Sequence, residues 1–135
     1  MENFQFSLPF QVRDYECDFQ GIVNNAVYLN YLEHTRHEFA KHVGLDVVNM
    51  ARRGINLVVV RAELDYKCPL RSGDMFIVGA NLERFSRVRL AFRHTLYFQN
   101  TQRIILHARI LITAMNDRGR PFWPDELDRL FSEKS

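Results

Sequence analysis

A carboxylate, a glycine and two asparagines lie close together in the segment from Asp18 to Asn25. Gly21 follows Asp18 by three residues, and Asn24 precedes Asn25 directly. Asparagine is favoured where a helix begins, and the first amides of a helix carry the positive end of its dipole. A carboxylate beside such amides can act as a nucleophile or a base, while the amides stabilise a developing negative oxygen. These are the two requirements of acyl transfer.

The same segment also fits a purely structural role. An Asp side chain accepts hydrogen bonds within turns, and asparagines cap the first turn of many helices. Spacing alone favours this simpler interpretation. The catalytic interpretation therefore needs support from the rest of the chain.

Other polar side chains give weaker evidence of a catalytic role than Asp18 does. A carboxylate and an imidazole can cooperate at helical spacing, but the polar side of an amphipathic helix has the same composition. The residues in question are Glu33, His34, His37 and Glu38. His94 and His107 are interpreted as structural residues of strands. Cys17 adjoins an anion that discourages a thiolate, so we expect no cysteine nucleophile.

Periodicity predicts the elements that position these residues. Apolar residues spaced three and four apart predict a long helix that begins at Asn24 or Asn25 and stops at Gly44. A second, shorter helix is predicted for 46–52. Alternating patterns predict strands at 4–13, 60–67, 75–82, 88–98 and 104–115, with a short closing helix at 124–131.

Short connections between successive strands imply antiparallel pairing. One substantial helix is available to cover the apolar face of a long sheet, so the chain is predicted to be α+β, with the sheet curled around that helix. At 135 residues we expect one domain, residues 1–135. The uncovered edges and outer face of such a sheet favour pairing with a second copy.

Composition narrows the function classes. The chain is 47% hydrophobic and 25% charged, as in soluble globular proteins, and it has no apolar run long enough to span a membrane. A formal charge of +2 does not indicate a nucleic-acid partner. Two cysteines without metal-ligand spacing predict reduced thiols and a cytoplasmic location. The arginines between 84 and 93 suit a phosphate group.

The run from Asp18 to Asn25 resembles the active-site loop of hot-dog thioesterases of the 4-hydroxybenzoyl-CoA thioesterase type. In that family an Asp, followed by Gly, a hydrophobic residue and Val, leads into the central helix. The helix residues Tyr28, Tyr31 and Arg36 and the segment 66–74 are also similar to the family pattern. The residues of 12–28 and 36–39 look especially like plant acyl-lipid thioesterases that release fatty acids from acyl carrier protein.

The resemblance implies a hot-dog fold and an acyl thioesterase that needs no cofactor or metal. It assigns the catalytic carboxylate to Asp18 and the carbonyl-polarising amide to Asn25. The relatives' loop histidine is missing, since Ile22 and Asn25 occupy its positions, so Asp18 is expected to attack directly or to activate water. Expected substrate-binding residues are Gly21, Ile22, Tyr28, Tyr31, Val58, Val60, Arg87 and Arg89.

The expected substrate is a thioester of coenzyme A or acyl carrier protein, bound by a homodimer or homotetramer. Two rival functions share the fold. A module that binds or senses acyl thioesters would not need the carboxylate of Asp18, and a hydratase would call for an Asp/His or Glu/His pair. The sequence leaves open the acyl chain and the choice of carrier.

Overall fold

The computed structural model describes residues 3–132. A six-stranded antiparallel sheet accompanies three α-helices within this range. The strands are β1 (Phe6–Gln11), β2 (Asn56–Tyr66), β3 (Met75–Arg84), β4 (Arg89–Phe98), β5 (Ile104–Met115) and β6 (Pro121–Phe122). The helices are α1 (Asn25–His42), α2 (Val47–Arg52) and α3 (Asp125–Ser132).

The sheet follows the order β1-β3-β4-β5-β2, and β6 pairs with β5. Consecutive strands β3, β4 and β5 form hairpins, whereas β2 crosses to the far side and pairs with β5. The two edges are therefore β1 and β2. This arrangement agrees with the predicted α+β sheet that curls around one long helix.

Helix α1 begins and ends where its sequence predicts. The side-chain oxygen of Asn24 accepts a hydrogen bond from the amide of Ala26 at 3.0 Å, which satisfies one of the free amides of the first turn. Gly44 ends the helix with φ of +78°, a left-handed conformation that favours glycine. The helix is thereby fixed in register against the sheet.

The buried face of α1 packs on the inner face of the sheet. Leu32 and Phe39 are almost inaccessible to solvent, as are Phe76 and Leu96 on the strands below. Replacing one such leucine by alanine costs about 2–5 kcal/mol of stability, because a cavity remains. This core holds the start of α1 in a fixed position relative to the loops around it.

A β-bulge interrupts β2 between Val59 and Arg61. Before the bulge, Leu57 pairs with the buried Ala114, so Leu57 faces inward. After it, the inward residues fall at even numbers, such as Leu64. The bulge residue, Val60, therefore shifts the alternation of β2 by one position.

Candidate active site

Asp18 lies at the start of a small hairpin that joins β1 to α1. Cys17 and Val23 form an isolated antiparallel bridge, and the amide of Asp18 donates to the carbonyl of Ile22 at 2.9 Å. Gly21 closes the turn with φ of +79°, where any other residue would be strained. The hairpin places Asp18 beside the strand that leads directly into α1.

The two oxygens of the Asp18 carboxylate have different surroundings. Oδ1 accepts hydrogen bonds from the amides of Gln20 at 2.9 Å and Ile22 at 3.4 Å. No residue between 3 and 132 donates a hydrogen bond to Oδ2. The side chain is exposed. The turn therefore fixes the direction of the carboxylate and leaves one oxygen available for chemistry.

The first turn of α1 contains an amide without a partner. The amides of Ala26 and Val27 both donate to Asn24, through its side chain and its carbonyl respectively. Within the described part of the chain, the amide of Asn25 has no acceptor. Such an amide can bind a negative oxygen, and the helix dipole strengthens the attraction.

The hairpin and the helix start are held together by Glu16. Its carbonyl accepts from the amide of Asn24 at 3.1 Å, and its carboxylate accepts from the hydroxyl of Tyr31 at 2.8 Å. Burial, and then the hydrogen bond to Glu16, raise the pKa of Tyr31 well above its ordinary value. Tyr31 is therefore a neutral donor that clamps the loop onto α1, a contact that nothing in the sequence indicates.

Tyr28 makes a second clamp. Its hydroxyl accepts a hydrogen bond from the amide of Leu70 at 3.1 Å, and burial raises its pKa. Val23 donates to the carbonyl of Leu70, and Ile22 bridges to Arg71. The segment before β3 thus lies against the hairpin. The sequence shows that this segment is similar to a family pattern, but it does not predict the contact.

The other expected binding residues do not gather around Asp18. Within residues 3–132, a cavity of about 160 Å³ between α1 and the sheet is lined on β2 by Leu57 and Val59, and not by Val58 or Val60. The reason is the bulge, which places Val58 opposite Thr113 on the other face of the sheet.

Arg87 and Arg89 lie at the far end of the sheet from Asp18. Arg87 is exposed in the β3–β4 connection, and Arg89 pairs with Thr113. The Asp18 hairpin contacts the segment just before β3, beside the opposite end of β4. The ten residues of β4 span roughly 30 Å. One chain therefore does not bring these arginines to the carboxylate.

The remaining titratable residues occupy structural positions. His94 is buried on the inner face of β4, and burial together with the charge of Arg36 lowers its pKa to about 3. His107 lies 3.2 Å from the hydroxyl of Thr95. Cys17 and Cys68 are free thiols. Residues 3–132 contain no cluster of three or more His, Cys, Asp or Glu side chains that could hold a metal ion.

Comparison with known proteins places this chain in a family. Residues 12–131 match the model of the Thioesterase-like superfamily. The match covers most of the chain, and the protein therefore belongs to that superfamily.

Among its relatives is a chloroplastic acyl-acyl carrier protein thioesterase of Arabidopsis thaliana, 40% identical over 114 residues. The aligned region is 84% of this chain and 60% of the plant protein. A second Arabidopsis thioesterase of the same description is 36% identical. The chain thus spans about three fifths of the length of these two relatives.

Solved structures show the same fold. A hypothetical protein of Aquifex aeolicus superposes with a TM-score of 0.83 at 29% identity, covering 93% of this chain and 98% of that one. A 1,4-dihydroxy-2-naphthoyl-CoA thioesterase from Synechocystis has a TM-score of 0.86 at 18% identity, covering 95% and 96%. The predicted hot-dog fold is confirmed.

No helix within residues 3–132 is long and apolar enough to cross a membrane.

Proposed function

We propose that the protein hydrolyses acyl thioesters of coenzyme A or acyl carrier protein, with Asp18 as its catalytic carboxylate. The observation that carries this proposal is that one short segment holds two groups without hydrogen-bond partners among residues 3–132. They are Oδ2 of Asp18, at the start of the hairpin, and the amide of Asn25, at the start of α1. Hydrolysis of a thioester requires both a nucleophile or base and a donor to the carbonyl oxygen.

In the proposed reaction the thioester carbonyl accepts a hydrogen bond from the amide of Asn25. Asp18 attacks the carbonyl carbon, the C–S bond breaks to release the thiolate, and water then cleaves the resulting anhydride. In the other route Asp18 removes a proton from water, the water oxygen attacks the carbonyl carbon, and the C–S bond breaks as the leaving thiolate takes the proton from Asp18. Both routes yield the free acid and the thiol. Neither requires the loop histidine that Ile22 and Asn25 replace.

The relatives support this choice of reaction. Two Arabidopsis proteins similar to this chain are named acyl-acyl carrier protein thioesterases, and a structural neighbour is named a CoA thioesterase. The superfamily match begins at residue 12 and therefore includes the segment that contains Asp18. These names favour an acyl thioester over other substrates.

We also propose that the protein acts in the cytoplasm as a homodimer or a pair of dimers. The free edge of β2 exposes Val60 and Tyr66. A second copy pairing antiparallel along β2 would bring the Arg89 end of one sheet toward the Tyr66 end of the other, where Tyr28 contacts Tyr66. The arginines that lie far from Asp18 in one chain would then approach the site of the other and bind the phosphates of the carrier.

Replacing Asp18 by Asn tests the proposal. We expect the rate of thiol release from a panel of acyl-CoA and acyl-carrier-protein thioesters to fall by about 10²- to 10⁴-fold. The melting temperature should change little, because the amide oxygen of Asn can still accept from Gln20. The matched control is Asp117→Asn, because Asp117 is an exposed aspartate in the turn before β6. A wild-type rate for Asp18→Asn would overturn the mechanism.

A non-hydrolytic binding module is the second candidate. It is favoured by one observation, namely that Oδ1 of Asp18 already accepts hydrogen bonds from the amides of Gln20 and Ile22 and so has a structural role in the turn. The same panel separates the two functions. A wild-type protein that binds acyl thioesters and releases no thiol from any of them is a binding module.

A further inference from the structure

Arg36 on α1 has a half-buried guanidinium without an acceptor. Its side chain forms no hydrogen bond or ion pair with any residue between 3 and 132, and its Nη1 atom is shielded from solvent. Burial lowers the pKa of Arg36, and the carboxylate of Glu33 one turn earlier raises it without making contact. An unpaired buried cation is costly. An acceptor from outside these residues would remove that cost.

Arg36 lines the cavity between α1 and the sheet. That cavity has a volume of about 160 Å³, and its charged or titratable wall residues are Glu33, Arg36 and His37, all on α1. The sheet, α2 and α3 supply an apolar wall. Its members are Val47, Leu57, Val59, Leu82, Leu90, Phe92, Ile112, Leu127 and Leu130. Arg36 is thus a cationic group on a mainly apolar surface.

His94 is a buried polar group on the neighbouring part of β4. Its ring nitrogens meet no hydrogen-bond geometry within residues 3–132, although an interaction with the backbone of Gly79 acts to raise its pKa, and the ring stacks on Phe92 at 6.0 Å between centroids. The charge of Arg36 contributes to the low pKa of His94. The imidazole is neutral at neutral pH, so Arg36 is the cation of this region.

The cavity beside Arg36 favours a slender ligand. Its volume of about 160 Å³ and its mainly apolar wall suit a narrow chain better than a polypeptide segment. Nη1 of Arg36 is shielded from solvent and has no hydrogen-bond partner among residues 3–132. A carboxylate at the end of a slender apolar chain in this cavity would meet Arg36, and the planar fork of arginine matches a carboxylate with two parallel hydrogen bonds.

We propose that Arg36 binds a carboxylate at the far end of the acyl group, so that the preferred substrates are thioesters of dicarboxylic acids. This inference rests on the proposed thioester hydrolysis, with the reacting carbonyl at Asn25. Arg36 follows Asn25 by eleven positions along the helix, a rise of roughly 16 Å. Leu29 and Glu33 lie on the same side of α1 between them. The acyl chain must therefore be of medium length.

The test compares acyl-CoA pairs of equal length with and without a terminal carboxylate: octanoyl with octanedioyl, decanoyl with decanedioyl, and dodecanoyl with dodecanedioyl. For wild type we expect kcat/KM to favour the diacid by about tenfold or more at one of these lengths, as for a hydrogen bond to a charged group. Arg36→Met should reduce this ratio to about 2 or less. Arg118→Met is the control, because Arg118 is an exposed arginine in the turn before β6.

Each outcome decides the inference. Hydrolysis of both series with equal efficiency overturns it and leaves the proposed function intact. If no thioester is cleaved, the proposed function fails, and binding of a free dicarboxylate then decides whether Arg36 forms a carboxylate site. A rise in melting temperature with free dodecanedioate in wild type, and not in Arg36→Met, supports a carboxylate site, whereas no rise overturns it.

Two further results are informative. If Arg36→Met does not melt cooperatively, Arg36→Lys replaces it, since lysine keeps the charge and loses the fork. We expect Arg36→Lys to lower the diacid preference, and an unchanged preference overturns the inference. Loss of the oligomer in Arg36→Met with the preference intact also overturns it, because the acceptor would then belong to a second copy.

Discussion

Asp18 combines a structural and a chemical role in one side chain. Oδ1 holds the hairpin by accepting from Gln20 and Ile22, and this contact directs the carboxylate. The exposed side chain retains one oxygen without a donor among residues 3–132. The turn that fixes this geometry favours glycine at position 21, where φ is +79°. The position of the carboxylate therefore depends on a residue that has no side chain.

Replacing Gly21 by Ala tests this dependence. Nothing lies within 4 Å of the added Cβ, so the cost comes only from φ of +79° and is about 1–2 kcal/mol. We expect that loss of stability in urea unfolding, together with a fall in kcat/KM. Gly44→Ala is the matched control, because Gly44 has φ of +78° and equally open space, but lies at the other end of α1. Equal kinetic effects of both variants would contradict the account.

At the scale of the elements, the limits of α1 and the existence of β2 could be predicted, whereas the residues of β2 that face inward could be predicted only after its bulge. The caps and period of α1 are local, so Asn24 and Gly44 mark its limits in the sequence. The alternation of β2 predicts that even-numbered residues face inward throughout, and this fails before Val60, because a bulge depends on pairing with β5. Val58 accordingly points away from the cavity that Val59 lines.

The candidate site shows the same division. The hairpin sequence is local, and its Asp, Gly and Asn residues predict a turn and a helix start. The contacts that fix it join distant residues, such as Tyr31 with Glu16 and Tyr28 with Leu70. No spacing rule predicts these contacts. The unpaired state of Arg36 is likewise a consequence of the packing of α1 on the sheet.

The burial of His94 between α1 and β4 predicts how stability depends on pH. Its pKa is about 3 when folded, against about 6.5 in an unfolded chain. Between these values the unfolded state binds an extra proton, so the free energy of unfolding falls as pH decreases below 6.5. We expect a loss of about 2 kcal/mol from this residue between pH 7 and pH 5.

Urea unfolding of wild type and His94→Leu at both pH values measures this contribution. The variant should lack it, whereas His107→Gln, at an exposed residue of β5, should retain it. The same loss of stability on acidification in His94→Leu as in wild type would contradict the assignment.

At the scale of the whole molecule, β2 is an edge strand that favours pairing with a second copy. Within the described chain only β5 pairs with β2, and the free edge of β2 carries exposed Val60 and Tyr66. Unpaired strand edges associate readily, and a two-fold axis would join two identical edges. The proposed dimer also accounts for arginines that lie far from Asp18 in one chain.

A charge on this edge should disrupt the assembly. We expect wild type to sediment as a multiple of the 16.0 kDa chain and Val60→Lys to shift toward the monomer, because lysine on an edge strand opposes strand pairing. Lysine at Val48, an exposed valine of α2, is the control. Wild type that sediments as a monomer would contradict the proposed assembly.

The most direct test of the central claim is a single turnover with enzyme in excess over an acyl thioester that wild type cleaves. Free acid and bound thioester are measured in the same quenched samples for wild type and Asp18→Asn. The account predicts rapid formation of free acid by wild type, and a variant that binds the thioester and leaves it intact. Free acid formed by Asp18→Asn at the wild-type rate would show that the carboxylate does not perform the reaction.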